Sequence, residues 1–210
     1  MTGSDNIAKK IQTGDENSFK SFVNEYKDKA YSLCIKILKN PEDAEDALQE
    51  SFLKLYRALL ENQFESKSKL STYFYSIVYN SCIDAYKKKR KMSFNMISID
   101  IESGDFSDGD ELVSGLKDKI SEYDGLNTEQ ENKFNSNISI ELIENYINNL
   151  PQQYSVILNM FYLNDLSHDE ISNILKLPIG TVKNRLFRAR EKLKELILEK
   201  YTEEEILELV

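Results

Sequence analysis

The chain has 210 residues, a formal net charge of −9, 40% hydrophobic residues and only 7 glycines and 3 prolines. This is the composition of a globular protein, and the length suits one large domain or two small ones. No apolar run is long enough for a signal peptide or a membrane span, so we expect a cytoplasmic protein without a membrane segment.

The distribution of charge is more informative than its total. An acidic total argues against nucleic-acid binding, because that binding depends on neutralisation of phosphates. Positive charge is nevertheless concentrated at 86–91 and between Lys183 and Lys194, whereas negative charge is concentrated at 42–50 and 100–131. This pattern predicts that different surfaces of the protein bind different partners.

The segment from Ser18 to about Leu60 has helical periodicity that is interrupted at Asn40 and Pro41. Proline is favourable in the first turn of a helix, so a new helix is predicted to start there. Its apolar side chains fall on one face, and its opposite face is acidic and amide-bearing. The members of that opposite face are Asp43, Asp46, Gln49 and Glu50. Taken alone, such a face is usually a solvated helix surface.

A polar loop over 64–69 precedes a third periodic segment, LSTYFYSIVYNSCIDAYKKKRKM, which ends in five consecutive cations. Tyrosines are interleaved with its apolar stripe. Aromatic rings beside a basic run are what single-stranded nucleic acid requires, because bases stack on the rings while cations follow the backbone. The alternative is that the tyrosines close the edge of a core and the lysines solvate a helix end. The residues alone leave both interpretations open.

The region 93–135 is rich in Gly, Ser, Asp and Glu and poor in hydrophobic residues, which predicts a flexible acidic linker. It divides the chain into two small helical domains, at 1–92 and 136–200, followed by an acidic tail at 201–210. No segment shows the alternation of a β-strand. The predicted fold class is therefore all-α.

The second domain ends in a pattern typical of a helix-turn-helix. Ser167 and Glu170 form a capping box at the start of a short helix, and Pro178 prevents that helix from continuing past Leu177. A longer helix then starts near Ile179, with its inward stripe at Val182, Leu186, Ala189 and Leu193. Its other face is basic, with arginine, lysine and asparagine side chains that suit base edges and phosphates. The structural alternative is a basic surface helix packed on its neighbour.

Residues that would carry catalysis are missing from the sequence. His168 is the single histidine, and there is no glycine-rich phosphate loop, nucleophile elbow or metal-ligand spacing. Cys34 and Cys82 lie singly in apolar helical stretches, which predicts buried free thiols. We therefore expect no metal, no cofactor and no catalytic site.

Three stretches, in order, resemble the sigma factors of bacterial RNA polymerase, specifically the two-domain extracytoplasmic-function (ECF) group of the sigma-70 family. AEDALQESFLKLY (44–56) is similar to the helix that binds the polymerase clamp, and the stretch 64–91 is similar to the segment that recognises and melts the −10 element. The stretch 149–193, which contains GTVKNRLFRAR, is similar to the domain that recognises the −35 element. One departure is Tyr73-Phe74, where the family usually has tryptophan followed by an aliphatic residue.

The resemblance implies a role for each group of candidate residues. The acidic face of Asp43, Asp46, Gln49 and Glu50 would bind core polymerase. The −10 contacts would be Phe64, Ser66, Lys67, Ser68, Lys69, Tyr79, Asn80, Tyr86, Lys87, Lys88 and Arg90. The −35 contacts would be Thr181, Lys183, Asn184, Arg185, Phe187 and Arg188.

The resemblance also implies the partners: core RNA polymerase (through its clamp and flap), promoter DNA, and an anti-sigma factor as a further candidate. The implied function is promoter-specific initiation by a dissociable subunit that is a monomer when free. The alternative is a helix-turn-helix regulator that acts without polymerase. Such regulators normally dimerise on two-fold sites, and the sequence shows no evident dimerisation helix.

Overall fold

The computed structural model of the protein describes residues 3–97 and 146–201, and helices are the only regular secondary structure in these two ranges. The named helices are α1 (Gly3–Gln12), α2 (Glu16–Leu38), α3 (Pro41–Leu60), α4 (Leu70–Ile97), α5 (Gln152–Leu158), α6 (His168–Leu175) and α7 (Ile179–Leu198). Residues 146–149 are also helical. The all-α prediction is confirmed. The acidic region 98–135, the predicted helix start at 136–145 and the tail at 202–210 lie outside the described residues.

The first two long helices are separated where the sequence predicts. Helix α2 begins after Asp15, whose carboxylate accepts hydrogen bonds from the backbone N–H groups of Asn17 and Ser18, at 3.1 and 3.3 Å. It ends at a left-handed residue, Lys39, with φ of 53°. Asn40 then caps α3 by accepting from the N–H of Asp43 at 2.9 Å, and Pro41 is the first helical residue. Each end therefore has a local cause in the sequence.

Helix α1 is a finding that the sequence analysis did not predict. Ala8 and Ile11 of this helix are 1% and 0% exposed and belong to the same core as α2, α3 and α4. Ile7 packs on that core from a partly buried position. The spacing of these three residues is helical, so the signal was present but short.

Phe74 is the centre of an aromatic cluster that joins three helices. Its ring is fully buried and stacks on Phe52 of α3, with ring centroids 4.6 Å apart. It also meets Phe22 of α2 edge-on at 5.5 Å, and Tyr75 lies beside it at 5.7 Å. Phe74 thus fills the centre of the first block by offset and edge-to-face contacts.

The two cysteines are buried and free, as predicted. Cys34 of α2 and Cys82 of α4 are neighbours, and a hydrogen bond between them, together with burial, raises the pKa of the Cys82 thiol.

Helix α4 continues to Ile97, so residues 93–97 are helical rather than part of the predicted linker.

The capping box of α6 is formed as the sequence predicts. Ser167 Oγ accepts from the N–H of Glu170 at 3.3 Å, and a Glu170 carboxylate oxygen accepts from the N–H of Ser167 at 2.8 Å. The helix ends at Leu175, and Lys176 is left-handed with φ of 55°. Helix α7 then starts at Ile179, directly after Pro178.

We expect Ser167→Ala to lower the free energy of unfolding by about 1 kcal/mol, because it leaves an N-terminal donor of α6 without its partner. Urea denaturation followed by circular dichroism measures the change. Ser21→Ala, at an exposed position within α2, is the control and should stay within about 0.5 kcal/mol of the parent. Equal effects of the two substitutions would contradict the role of the cap.

The helix that starts after Pro151 does not remain α-helical to its end. Residues Asn159–Leu163 are π-helical, and Asn159 is fully buried with its amide donating to Ser32 Oγ at 2.7 Å. A buried polar side chain needs such a partner, so this contact with α2 fixes the position of the irregular turn.

The two helical blocks pack against each other. Their buried residues form one continuous hydrophobic cluster that includes Leu33 and Val78 from the first block and Ile157, Met160 and Ile171 from the second. No helix among the described residues is both long enough and apolar enough to cross a membrane.

Candidate polymerase and nucleic-acid interfaces

The α3 face contains the predicted polymerase contacts. Asp46, Gln49 and Glu50 are exposed, and Asp43 is half-buried. The Asp43 carboxylate forms an ion pair with Lys89 of α4, and Glu50 lies 3.8 Å from Lys54 one turn later. Helical spacing places the four side chains on one outward stripe. Three of the four are therefore available to a partner.

Sequence reasoning missed an apolar side chain on the same stripe. Leu53 is 51% exposed, and it lies one helical turn beyond Gln49 and Glu50. Leu60, two turns further, is 44% exposed. The sequence does indicate this exposure, because Leu53 and Leu60 fall outside the helical spacing of the buried stripe that includes Leu55 and Leu59. Exposed large apolar side chains beside charges are typical of a surface that binds another protein.

The loop between α3 and α4 has one buried anchor and an exposed polar tip. Phe64, predicted as a DNA contact, is instead 6% exposed and packs on Tyr73 with ring centroids 5.2 Å apart. It is buried because its ring fills the core edge under the loop, so the prediction for Phe64 is corrected to an anchor. The tip residue Ser66 is left-handed, with φ of 55°. The exposed tip consists of Ser66, Lys67, Ser68 and Lys69.

Several of the −10 candidates on α4 are seven residues apart, so they lie on the same side of the helix. Tyr79 and Tyr86 are half-buried and seven residues apart, and Asn80 and Lys87 form the adjacent exposed row. Burial raises the pKa of Tyr79, so its hydroxyl stays neutral and can donate a hydrogen bond. Lys88 and Arg90 are also exposed and follow Lys87 along the helix. The arrangement combines aromatic edges with cations, which suits an unpaired strand.

The face of α7 confirms the helix-turn-helix pattern. Val182, Leu186 and Ala189 are at most 1% exposed, and Leu193 is partly buried. Phe187, on the opposite side, is 61% exposed, which is unusual for so large an apolar side chain. It is flanked by the exposed side chains of Lys183, Asn184 and Arg188. The four form one contiguous polar and aromatic surface that can enter a groove of DNA.

Two further −35 candidates are placed differently. Thr181 and Arg185 are half-buried. Burial lowers the pKa of Arg185, and the nearby Tyr154 and Tyr79 raise it in part. Gly180 is exposed, and a Cβ there would meet no other atom within 4 Å. Packing within the protein therefore does not explain the glycine.

Arg190, on the same helix, serves the fold. Its guanidinium lies over the rings of Phe161 and Tyr162, 5.4 and 5.6 Å from their centroids. These cation–π contacts tie α7 to the π-helical turn. The cations of α7 are therefore not all available to a partner: Arg190 packs on the protein's own aromatic rings, whereas Lys183 and Arg188 are exposed.

No group of three or more His, Cys, Asp or Glu side chains among residues 3–97 and 146–201 is arranged to hold a metal ion. Apart from the buried Phe64, the candidate residues of the described part of the chain lie on exposed or half-buried helical faces and on one loop tip.

Comparisons with known proteins agree with this arrangement. The chain matches the family model described as Sigma-70 region 2 over residues 22–92 and that described as Sigma-70, region 4 over residues 140–193. The ECF RNA polymerase sigma factor SigW of Bacillus subtilis is 34% identical over 190 residues, which cover 89% of this chain and 92% of that protein. The ECF RNA polymerase sigma-E factor of Escherichia coli K12 is 29% identical over 187 residues, covering 88% and 89%.

Solved structures show the same fold. The sigma factor RpoE of Bartonella quintana, in complex with the anti-sigma factor NepR, superposes with a TM-score of 0.58 at 19% identity, covering 87% of this chain and 98% of that one. CnrH in complex with the cytosolic domain of CnrY gives a TM-score of 0.58 at 14% identity, covering 95% and 100%. The comparisons do not favour an independent helix-turn-helix regulator. The chain belongs to the sigma-70 family, in its ECF group, whose members direct promoter-specific transcription initiation as non-catalytic subunits of RNA polymerase.

Proposed function

We propose that this chain binds core RNA polymerase through the α3 face and brings two separate DNA-binding surfaces to a promoter. The observation that carries the proposal is the exposed stripe of α7, in which Phe187 is 61% exposed among cationic and amide side chains. A stripe with this chemistry has no role in the core of its own domain. It suits the −35 element of promoter DNA, in line with the membership of the family.

The α3 face is proposed as the clamp-binding surface, with Leu53 added to the acidic and amide residues. Acidic side chains complement a basic partner surface and speed its association, while an apolar side chain supplies area that leaves water on binding. Asp43 is already paired with Lys89, so we assign it the positioning of α3 against α4 rather than a direct contact.

The loop tip and the outward row of α4 are proposed to hold the −10 region. Exposed serine and lysine side chains at 66–69 can bind base edges and phosphates of an unpaired strand. Tyr79 and Tyr86 can stack on bases, and Lys87, Lys88 and Arg90 can follow the backbone. Neutralisation of phosphates by these cations makes the contact sensitive to salt.

We also propose an anti-sigma factor as a partner, because the sigma factor RpoE of Bartonella quintana, which has the same fold, was co-crystallised with one. As a polymerase subunit the protein would act in the cytoplasm, and the polymerase flap is the proposed contact of the second domain. An anti-sigma factor that holds this chain should compete with core polymerase for it.

The test of the proposed function is transcription in vitro with purified core polymerase on genomic fragments, followed by sequencing of the transcripts. Shared upstream elements at the mapped start sites would support it. Core polymerase that initiates identically with and without the chain would overturn it.

We expect Arg188→Ala to lower initiation that depends on the −35 element by roughly 5- to 150-fold, the equivalent of about 1–3 kcal/mol for a good base contact. Lys194→Ala, which removes an exposed cation further along α7, is the control for charge alone. Transcription from templates with and without the −35 element separates the two effects. Equal losses for the two variants would contradict a specific contact by Arg188.

A further inference from the structure

Asp84 is an acidic side chain in the middle of the proposed −10 surface. It is exposed on α4, four residues after Asn80 and three residues before Lys87. Residues at these spacings are neighbours on a helix, with Cβ atoms about 5–6 Å apart. Lys88, four residues after Asp84, is exposed beside them. The carboxylate therefore lies between an amide and two cations that are proposed to bind DNA.

The fold does not explain this aspartate. Asp84 lies near the middle of α4, which spans Leu70–Ile97, so it is too far from the N-terminus to interact with the helix dipole. Aspartate is also one of the less favourable residues in the interior of a helix. Two other aspartates show the contrast, since Asp15 caps α2 and Asp165 is paired with Lys29. The helix gains no stability from a carboxylate at position 84.

The carboxylate of Asp84 also lacks a partner within the described part of the chain. No ion pair or hydrogen bond joins it to any other described residue. Lys87 and Lys88 stand at the spacings at which a helical ion pair usually forms, yet neither is paired with it. Lys89, the next cation, is held instead by Asp43 of α3. Asp84 therefore presents its charge to solvent or to a bound molecule.

An unpaired carboxylate has a specific effect on a surface that binds DNA. It repels phosphates, so it weakens binding to every sequence. It accepts hydrogen bonds and donates none, because an ionised carboxylate carries no proton. The donors that DNA offers in its grooves are the amino groups of bases. The lost affinity is recovered only where such an amino group comes within reach, so the carboxylate adds selectivity rather than affinity.

The groups on each base decide which base fits a carboxylate. In the major groove cytosine presents its N4 amino group alone, whereas adenine presents its N6 amino group beside N7, which is an acceptor. Guanine presents two acceptors there, and thymine presents an acceptor and a methyl group. Two acceptors that face each other repel. Cytosine is therefore the base that a carboxylate favours.

We propose that Asp84 selects cytosine at one position of the −10 region by accepting a hydrogen bond from the N4 amino group of that base. Asn80 and Lys87, which lie on either side of it along α4, would hold the neighbouring base edge and phosphate. The inference rests on the proposed function, because it takes the −10 surface of α4 from it. It adds a carboxylate to a surface that otherwise consists of cations, amides, hydroxyl groups and aromatic rings.

The test measures initiation by core polymerase and the chain on a promoter mapped with the parent. A library of templates carries every base at each position of the −10 region, and sequencing of the transcripts counts the use of each template. We expect the parent to prefer cytosine at one position by about tenfold, the scale of a hydrogen bond to a charged group. Asp84→Ala should lose that preference and keep the preferences at the other positions.

Asp84→Asn should change the preferred base rather than abolish the preference. An amide presents a donor and an acceptor, which match N7 and N6 of adenine. The favoured base at the same position should therefore change from cytosine to adenine. Removal of a charge alone would instead raise the use of all four bases equally.

The matched control is Asp28→Asn. Asp28 is also exposed near the middle of a helix, α2, and it too has no ion pair or hydrogen bond among the described residues. Its neighbours one turn away on α2 are not cations, and α2 contributes no residue to the proposed −10 surface. The control removes the same charge and should keep all base preferences of the parent.

Base preferences that are the same in Asp84→Ala and the parent would overturn the inference, as would an equal gain for all four bases in Asp84→Asn. Binding to core polymerase without DNA is measured in parallel, and a loss in Asp84→Ala would assign the side chain to the polymerase and also overturn it. If the parent does not direct initiation, the proposed function fails and the inference fails with it. Initiation by the parent with unchanged preferences in the variants removes the inference alone.

Discussion

Phe74→Ala is expected to lower the free energy of unfolding by about 3–5 kcal/mol, the usual cost of truncating a fully buried phenylalanine. The ring contacts Phe22 of α2 and Phe52 of α3, so its removal leaves a cavity where three helices meet. The cavity cannot collapse without moving a helix. The loss should therefore lie near the upper end of this range.

Urea denaturation of the full chain measures the effect. Phe74→Leu is the control, because a leucine fills most of the volume and should cost less than half as much as alanine. Phe19→Leu adds a comparison at a partly buried ring on the edge of the cluster. A loss of less than about 1 kcal/mol for Phe74→Ala would mean that the cluster is not the support of the first domain.

Asp46→Ala with Gln49→Ala is expected to weaken binding to core polymerase by about 2–4 kcal/mol, on the scale of central residues in protein interfaces. Both side chains are exposed, so the fold should be unaffected. Adding Leu53→Ala should weaken binding further by removing exposed apolar area. Fluorescence anisotropy of labelled chain with core polymerase gives the affinities.

Asp84→Ala with Gln63→Ala is the matched control, since it removes the same two side-chain types from exposed positions elsewhere in the first domain. It should bind core polymerase like the parent. If the two double variants bind equally well, the α3 face is not the polymerase contact. Unfolding curves for both variants distinguish lost binding from lost structure.

The elements that the sequence predicts well are those with a local cause. Pro41 and the capping box of Ser167 fix helix starts through interactions within four residues. The stripe of Val182, Leu186 and Ala189 follows helical periodicity and is buried as predicted. Local chemistry and periodicity are legible in one sequence because they do not depend on the rest of the fold.

The contacts between the domains were not predictable in the same way. Glu170 has the local signature of a helix cap, and nothing near it in sequence indicates its second role. Its carboxylate accepts from Thr72 Oγ1 at 2.7 Å and lies 3.2 Å from Lys69 Nζ. Phe64 shows the converse limit: its place in a polar loop suggests exposure, but Tyr73 covers its ring. In both cases the partner lies on a different element of the fold. Helical periodicity does not show which polar or aromatic residues of two elements will be in contact.

The carboxylate of Glu170 has a consequence for proton linkage. Partial burial raises its pKa, but the hydrogen bonds from Ser167, Thr72 and Lys69 outweigh this and lower the pKa from 4.5 to about 2 in the folded chain. Its contacts therefore stabilise the protein above pH 4.5 and are lost as the pH falls through the folded value. Between about pH 6 and 8 the group binds no proton whether the contacts are formed or not, and its linkage to pH is zero. Lys69, its exposed partner, is screened by dissolved ions. Ionic strength, and not acidity, is therefore the solution condition to which this contact responds in a living cell.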